Sequence, residues 1–227
     1  MLIKWGSIVV EGSGKLGGHV YYKGKGDSVI RTLARARNPQ TRSQQTIKSR
    51  FTKLTQDWSN LTDDQRQSWN EATSSFSRKN RFGDTVLLTG KNLYNALNQQ
   101  LLLVNEPILM FAPRPGVTVR NTVNNAVMRN ARGNLLISGD FKGGTTYVIL
   151  GTAELSAGVQ EIGNRFRIFS VAESSGTGAV INGFEIQYNR YVAKFGVLPN
   201  GANAYIGTYS VNKSGQKSSI SIVKITF

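Results

Sequence analysis

The sequence predicts an α+β protein: an N-terminal extended arm and a helical hairpin, followed by an all-β sandwich of immunoglobulin or fibronectin III type. Three observations predict it. Glycines at 12, 14, 17, 18, 24 and 26 interrupt a cationic stretch, so no long element forms there. Between residues 41 and 105, apolar residues recur at helical spacing behind helix-start signals. From about residue 117 onward, short apolar segments alternate with Gly, Asn and Ser clusters.

The first division is residues 1–40, a basic glycine-rich arm with short strands. Residues 8–10 read as a strand, as do residues 20–22 and 29–33, with KGKGD as the turn between the last two. Arg31, Arg35 and Arg37 follow, and then Asn38 and Pro39 bias the chain away from helix.

The second division, residues 41–105, reads as about three helices. Thr41 with Gln44 has the spacing of a capping box, in which side chain and backbone satisfy each other's free donors. Ile47, Phe51, Leu54, Trp58 and Leu61 then form one apolar stripe. A second box, Thr62 with Gln65, opens the next helix, and Asp63 and Asp64 sit at its positive end. Its stripe is Trp69, Ala72 and Phe76. The short connection between the two predicts an αα-hairpin. Trp58 and Trp69 lie on the stripes, which suits a core role, and both are also candidate interface anchors. Residues 85–88 read as extended, and Thr89 starts a third helix with Leu93, Leu97, Leu101 and Val104 on one side.

The third division is residues 106–227. NEPILMFAPRPG is a proline-rich lead-in. The strand candidates are NLLISG, TTYVILG, RFRIFSV, GAVINGFEIQY, ANAYIGTYSV and SSISIVKITF. Six or seven short antiparallel strands over such a length predict the sandwich. The absence of cysteine excludes a disulfide-bonded immunoglobulin domain.

Composition narrows the chemistry. With no cysteine and His19 as the single histidine, thiol catalysis and cysteine metal sites are excluded, and a serine triad has one candidate base. No carboxylate pair has a catalytic setting, so no enzyme, metal or cofactor is expected. GSGKLGG has the look of a phosphate loop, but Leu16 stands where Ser or Thr must bind magnesium. No apolar run approaches a membrane span, and no secretory h-region is present, so assembly in a cytoplasm without a membrane partner is expected. The formal net charge is +15. Residues 1–53 hold eleven Lys and Arg against Glu11 and Asp27, so nine of the excess charges lie there and six in the rest. Such a surplus calls for an acidic partner, either protein or nucleic acid.

The segment Gly14-Lys15-Leu16-Gly17-Gly18-His19-Val20-Tyr21, then Val29-Ile30-Arg31, Asn38-Pro39-Gln40-Thr41, Gln44, Arg50, Trp58, Leu61-Thr62, Gln65-Arg66 and Trp69-Asn70 carries a resemblance. It is similar to a segment of uncharacterised virion-associated proteins of tailed bacteriophages and prophages, whose helical part reads W-x2-LT-x2-QR-x2-W. The resemblance implies a virion structural protein made in the host cytoplasm: an auxiliary capsid protein that decorates or stabilises the head, or alternatively a head-tail connector or tail component. Its partners would be other virion proteins, the major capsid protein foremost, met by many copies per particle. The candidate partner-binding residues are Lys15, Tyr21, Tyr22, Lys23, Lys25, Arg31, Arg35, Arg37, Arg42, Arg50, Trp58 and Trp69. Cations interleaved with tyrosines also suit a nonspecific contact to DNA, the rival class, although no base-reading motif is present.

Overall fold

The computed structural model describes residues 2–3, 12–24, 28–34, 38–80, 83–129, 134–156, 158–159, 162–173, 180–199 and 201–226. Its elements begin with β1 (Leu2–Ile3), β2 (Gly14–Leu16), β3 (His19–Lys23), β4 (Ser28–Thr32), α1 (Arg42–Asn60), α2 (Asp63–Ala72), β5 (Arg78–Lys79), β6 (Thr85–Val86) and α3 (Gly90–Leu103). They continue with β7 (Thr122–Arg129), β8 (Asn134–Lys142), β9 (Thr146–Gly151), β10 (Arg167–Glu173), β11 (Val180–Gln187), α4 (Tyr188–Phe195), β12 (Tyr205–Val211) and β13 (Ser221–Thr226). The protein is therefore α+β, with helices beside a mostly β region. The strand expected at residues 8–10 lies outside the described residues.

The chain divides into two compact units, Met1–Ser49 with Ser77–Leu87, and Arg50–Phe76 with Leu88–Phe227. The first unit contains an antiparallel sheet in the order β1-β4-β3-β2 and the small β5-β6 pair. None of its described side chains is buried. It also holds the start of α1, where the Thr41 amide donates to Gln44 Oε1 at 3.2 Å and the Gln44 amide donates to Thr41 Oγ1 at 3.4 Å.

The second unit has a helical part and a β part. Thr62 and Gln65 form the reciprocal cap that starts α2, and the Thr89 side chain caps α3. Leu54 and Trp58 of α1, Leu61, Trp69 of α2, and Leu93, Tyr94 and Leu97 of α3 share one apolar cluster. Trp69 is fully buried, and its ring N–H donates to the Met110 carbonyl at 2.8 Å. Tyr94 meets Trp69 edge-on, with ring centroids 5.2 Å apart.

The β part is a seven-stranded sheet in the order β10-β9-β12-β13-β7-β8-β11. Strand β13 joins its halves: residues 221–224 pair antiparallel with β12, and Ile225 and Thr226 pair parallel with β7. Both halves contribute to one core, including Leu135, Ile137 and Phe141 of β8, Ile149 of β9, Ile206 of β12 and Ile225 of β13. Helix α4, absent from the sequence expectation, closes this core. Buried Tyr191 stacks on Tyr188 and donates its hydroxyl to the Thr152 carbonyl. On the other side of β9 and β12, Val148, Leu150, Tyr209 and Val211 pack with Val104 at the end of α3. These two strands are therefore covered on both sides, which explains their nearly continuous apolar sequences.

The β12–β13 loop fastens the lead-in segment. The Gly116 amide donates to Gln216 Oε1 at 2.7 Å, and Asn212 Oδ1 accepts from the amides of Ser214 and Gln216. Gly215, at φ +73°, lets the loop lie against α3, because a Cβ there would run into the Leu97 carbonyl.

Candidate interaction surface

In the first unit, Gly17 and Gly18 link β2 to β3. Gly17 takes φ +55°, the positive value that a two-residue hairpin loop requires of its first central residue. Past the turn, Leu16 pairs with His19, Lys15 with Val20 and Gly14 with Tyr21. On the other edge of β3, Val20 pairs with Arg31, Tyr21 with Ile30 and Tyr22 with Val29. Directly paired residues share a face, and alternate residues switch faces. One face thus carries the row Lys15–Val20–Arg31 and beside it Tyr22 and Val29. The other carries Leu16, His19, Tyr21, Ile30 and Thr32.

The Arg31 guanidinium lies 5.8 Å from the centre of the Tyr22 ring, a cation–π contact across the diagonal of the first face. Lys15, Tyr22 and Arg31 are all exposed, and Val20 and Val29 are half-buried. Among the described residues of this unit the cations Lys15, Lys23, Arg31, Arg42, Lys48, Arg78 and Lys79 stand against one carboxylate, Asp84.

The structure separates the other candidates. Tyr21 is half-buried on the opposite face from Tyr22, and Lys23 is exposed at the end of β3. Lys25, Arg35 and Arg37 lie outside the described residues. Arg42 is exposed in the first turn of α1, and Arg50 is half-buried. Trp58 is half-buried against Tyr94, with ring centroids 5.4 Å apart. Trp69 has no exposed surface with which to meet a partner, so of its two readings the geometry supports the core one. The apolar stripe of α1 is buried only in its second half: Ile47 and Phe51 are 58% and 51% exposed, whereas Leu54 is fully covered.

Val20 and Val29 are not among the partner-binding candidates read from the sequence, although the alternation of HVYYK places Val20 beside Tyr22 and opposite Tyr21. That pattern was the available signal.

The second unit holds a cleft of about 430 Å³ lined in part by Glu106, Thr146, Glu173, Ser210, Asn212 and Lys213. The Ser210 hydroxyl donates to the Val119 carbonyl, and neither histidine nor cysteine stands in the lining. Among the described residues no group of three or more His, Asp or Glu could hold a metal ion, and no helix is long and apolar enough to cross a membrane. Burial pushes the Tyr94 phenol up to about 12, with the nearby Asp57 charge adding to it, and pushes Tyr209 up to about 12. Tyr191 is raised too, first by burial and then by Tyr188, and burial raises Tyr147.

No protein-family model matches the chain. No curated protein matches it either. Among solved structures, a Fn3-like protein from Clostridium thermocellum is similar at 10% sequence identity and a TM-score of 0.30, over 49% of this chain and 97% of that one.

Proposed function

We propose that the protein is a structural component of a tailed-bacteriophage particle, an auxiliary capsid protein that docks on the head through its N-terminal sheet and the start of α1. The observation that carries this reading is the first unit itself: a cationic antiparallel sheet in which no described side chain is buried. Such a sheet has little to stabilise it in isolation and gains apolar contacts on a larger surface. The resemblance of residues 14–70 to virion-associated phage proteins supplies the setting. Docking is multivalent, so each contact can be weak while an array of copies is held firmly. The β part is read as an immunoglobulin or fibronectin III-like sandwich, on the strength of its strand order and the core shared by its two halves. It packs beside its neighbours in the array. A head-tail connector or tail position is the alternative of the same class.

Mass spectrometry of purified particles, with a low-resolution map, tests this. The protein is expected in mature virions in many copies, and its absence from them overturns the proposal. A nucleic-acid role has one observation in its favour, the Lys15, Arg31 and Tyr22 face. It predicts DNA binding by the isolated protein that falls steeply with salt.

A further inference from the structure

We infer that the face formed by Lys15, Val20, Tyr22, Val29 and Arg31 is the docking face of the N-terminal sheet, and that it takes an acidic amphipathic helix of a partner protein. The inference deepens the docking reading given above and rests on it. Its starting point is the row Lys15–Val20–Arg31, in which two exposed cations flank a valine across three strands. Two strand spacings separate the outer members, about 9.6 Å. Seven residues of α-helix advance about 10.5 Å along the axis. A helix laid across the strands therefore presents carboxylates at i and i+7 to Lys15 and Arg31, and an apolar residue at i+3 or i+4 to Val20. Val29 and the Tyr22 ring extend the apolar centre to the next row, and Arg31 over that ring is held in place for a carboxylate.

Charge selects the class of occupant. A second copy meeting this sheet with its own N-terminal sheet would set Lys15 and Arg31 against the same cations, and in that unit Asp84 is the one described carboxylate. Nucleic acid would answer the cations, but it leaves the valines facing phosphate and sugar. An acidic helix with an apolar stripe satisfies both parts of the face. Binding also buries apolar surface that the free sheet leaves open, so ordering of the sheet and docking are coupled.

The test uses the full-length protein and three probes: a helical peptide with glutamates at i and i+7 and leucines at i+3 and i+4, a scrambled peptide of the same composition, and an oligothymidylate. The wild type is expected to bind the patterned peptide at least about tenfold more tightly than the scrambled one, a difference lost in Lys15→Glu/Arg31→Glu. Lys15→Ala/Arg31→Ala serves as a milder second variant, unchanged melting shows that the second unit of either is folded, and an unchanged amide-exchange pattern in β3 and β4 shows that the sheet is kept. Equal binding of the two peptides, or tighter binding of oligothymidylate lost in the same variants, overturns the inference. Particle incorporation separates it from the virion reading. Wild type and charge-reversed protein incorporated at equal copy number overturns this face and leaves the virion role standing. Peptide selectivity with no wild-type protein in particles supports the face and overturns the virion role.

Discussion

Strands β3 and β9 are both short interior strands with antiparallel neighbours on both sides, yet they live under opposite conditions. In β9, Tyr147 and Ile149 enter the core shared with Phe141 and Ile206, and Val148 and Leu150 are covered by Val104 and Tyr209 on the other side. In β3, neither Val20 nor Tyr21 is fully covered, and Tyr22 is 43% exposed. Fixing a residue's backbone costs about 1–2 kcal/mol. Apolar burial offsets that cost in β9 and falls well short in β3. The contrast teaches that a sheet's hydrogen bonds alone do not make a stable module, and on the docking proposal the missing burial of the first unit is supplied by a partner.

Substitutions can break or sharpen this contrast. The largest effect is expected at Trp69→Ala, which opens a cavity among Leu54, Leu93 and Tyr94. It should cost about 3–5 kcal/mol, read as a lower urea midpoint of the main unfolding transition. Alkali comes next. The folded-state pKa values of Tyr94 and Tyr209, about 12, lie above the ordinary phenol value of 10.0, so the unfolded chain ionises first. Stability is then complete below about pH 10 and falls as pH rises toward about 12. Denaturant titrations across that window check it. The Tyr94 hydroxyl has no hydrogen-bond partner among the described residues, so Tyr94→Phe should reduce the alkaline loss with little cost at neutral pH.

Gly215→Ala should cost about 1–3 kcal/mol, because the residue is both at positive φ and pressed on the Leu97 carbonyl. Thr62→Ala removes one half of the α2 capping box and should lower stability by about 1 kcal/mol in the same melting experiment. The smallest effect belongs to the first unit. Tyr22→Ala should shift the main transition by less than about 0.5 kcal/mol, since its ring is exposed and contributes to no buried cluster.

What the sequence revealed follows the strength of its local signals. Thr41–Gln44, Thr62–Gln65 and Thr89 located three helix starts, because caps act through neighbouring backbone donors. Six strands were visible as apolar runs. Strand β7 was less so: Asn124 and Asn125 interrupt its alternation, and a register shift follows Val123. Helix α4 escaped because Tyr188, Tyr191 and Phe195 read equally well as strand residues, and what fixes them is the tertiary core they close. The same limit applies to the candidate surface. Cations and tyrosines announced an interacting segment, and strand alternation alone sets Tyr21 and Tyr22 on opposite faces, but no local signal could tell that Lys15, Val20 and Arg31 line up across three strands or that Trp69 is enclosed. Those facts depend on register and on distant partners.

Amide hydrogen exchange of the full-length protein, free and bound to its partner surface, probes the contrast between the two units at its root. In the free protein, β3 and β4 should exchange orders of magnitude faster than β9 and β12, and binding should bring their protection up. Protection of β3 and β4 in the free protein equal to that of β9 and β12 would contradict the claim that the N-terminal sheet draws its stability from a partner.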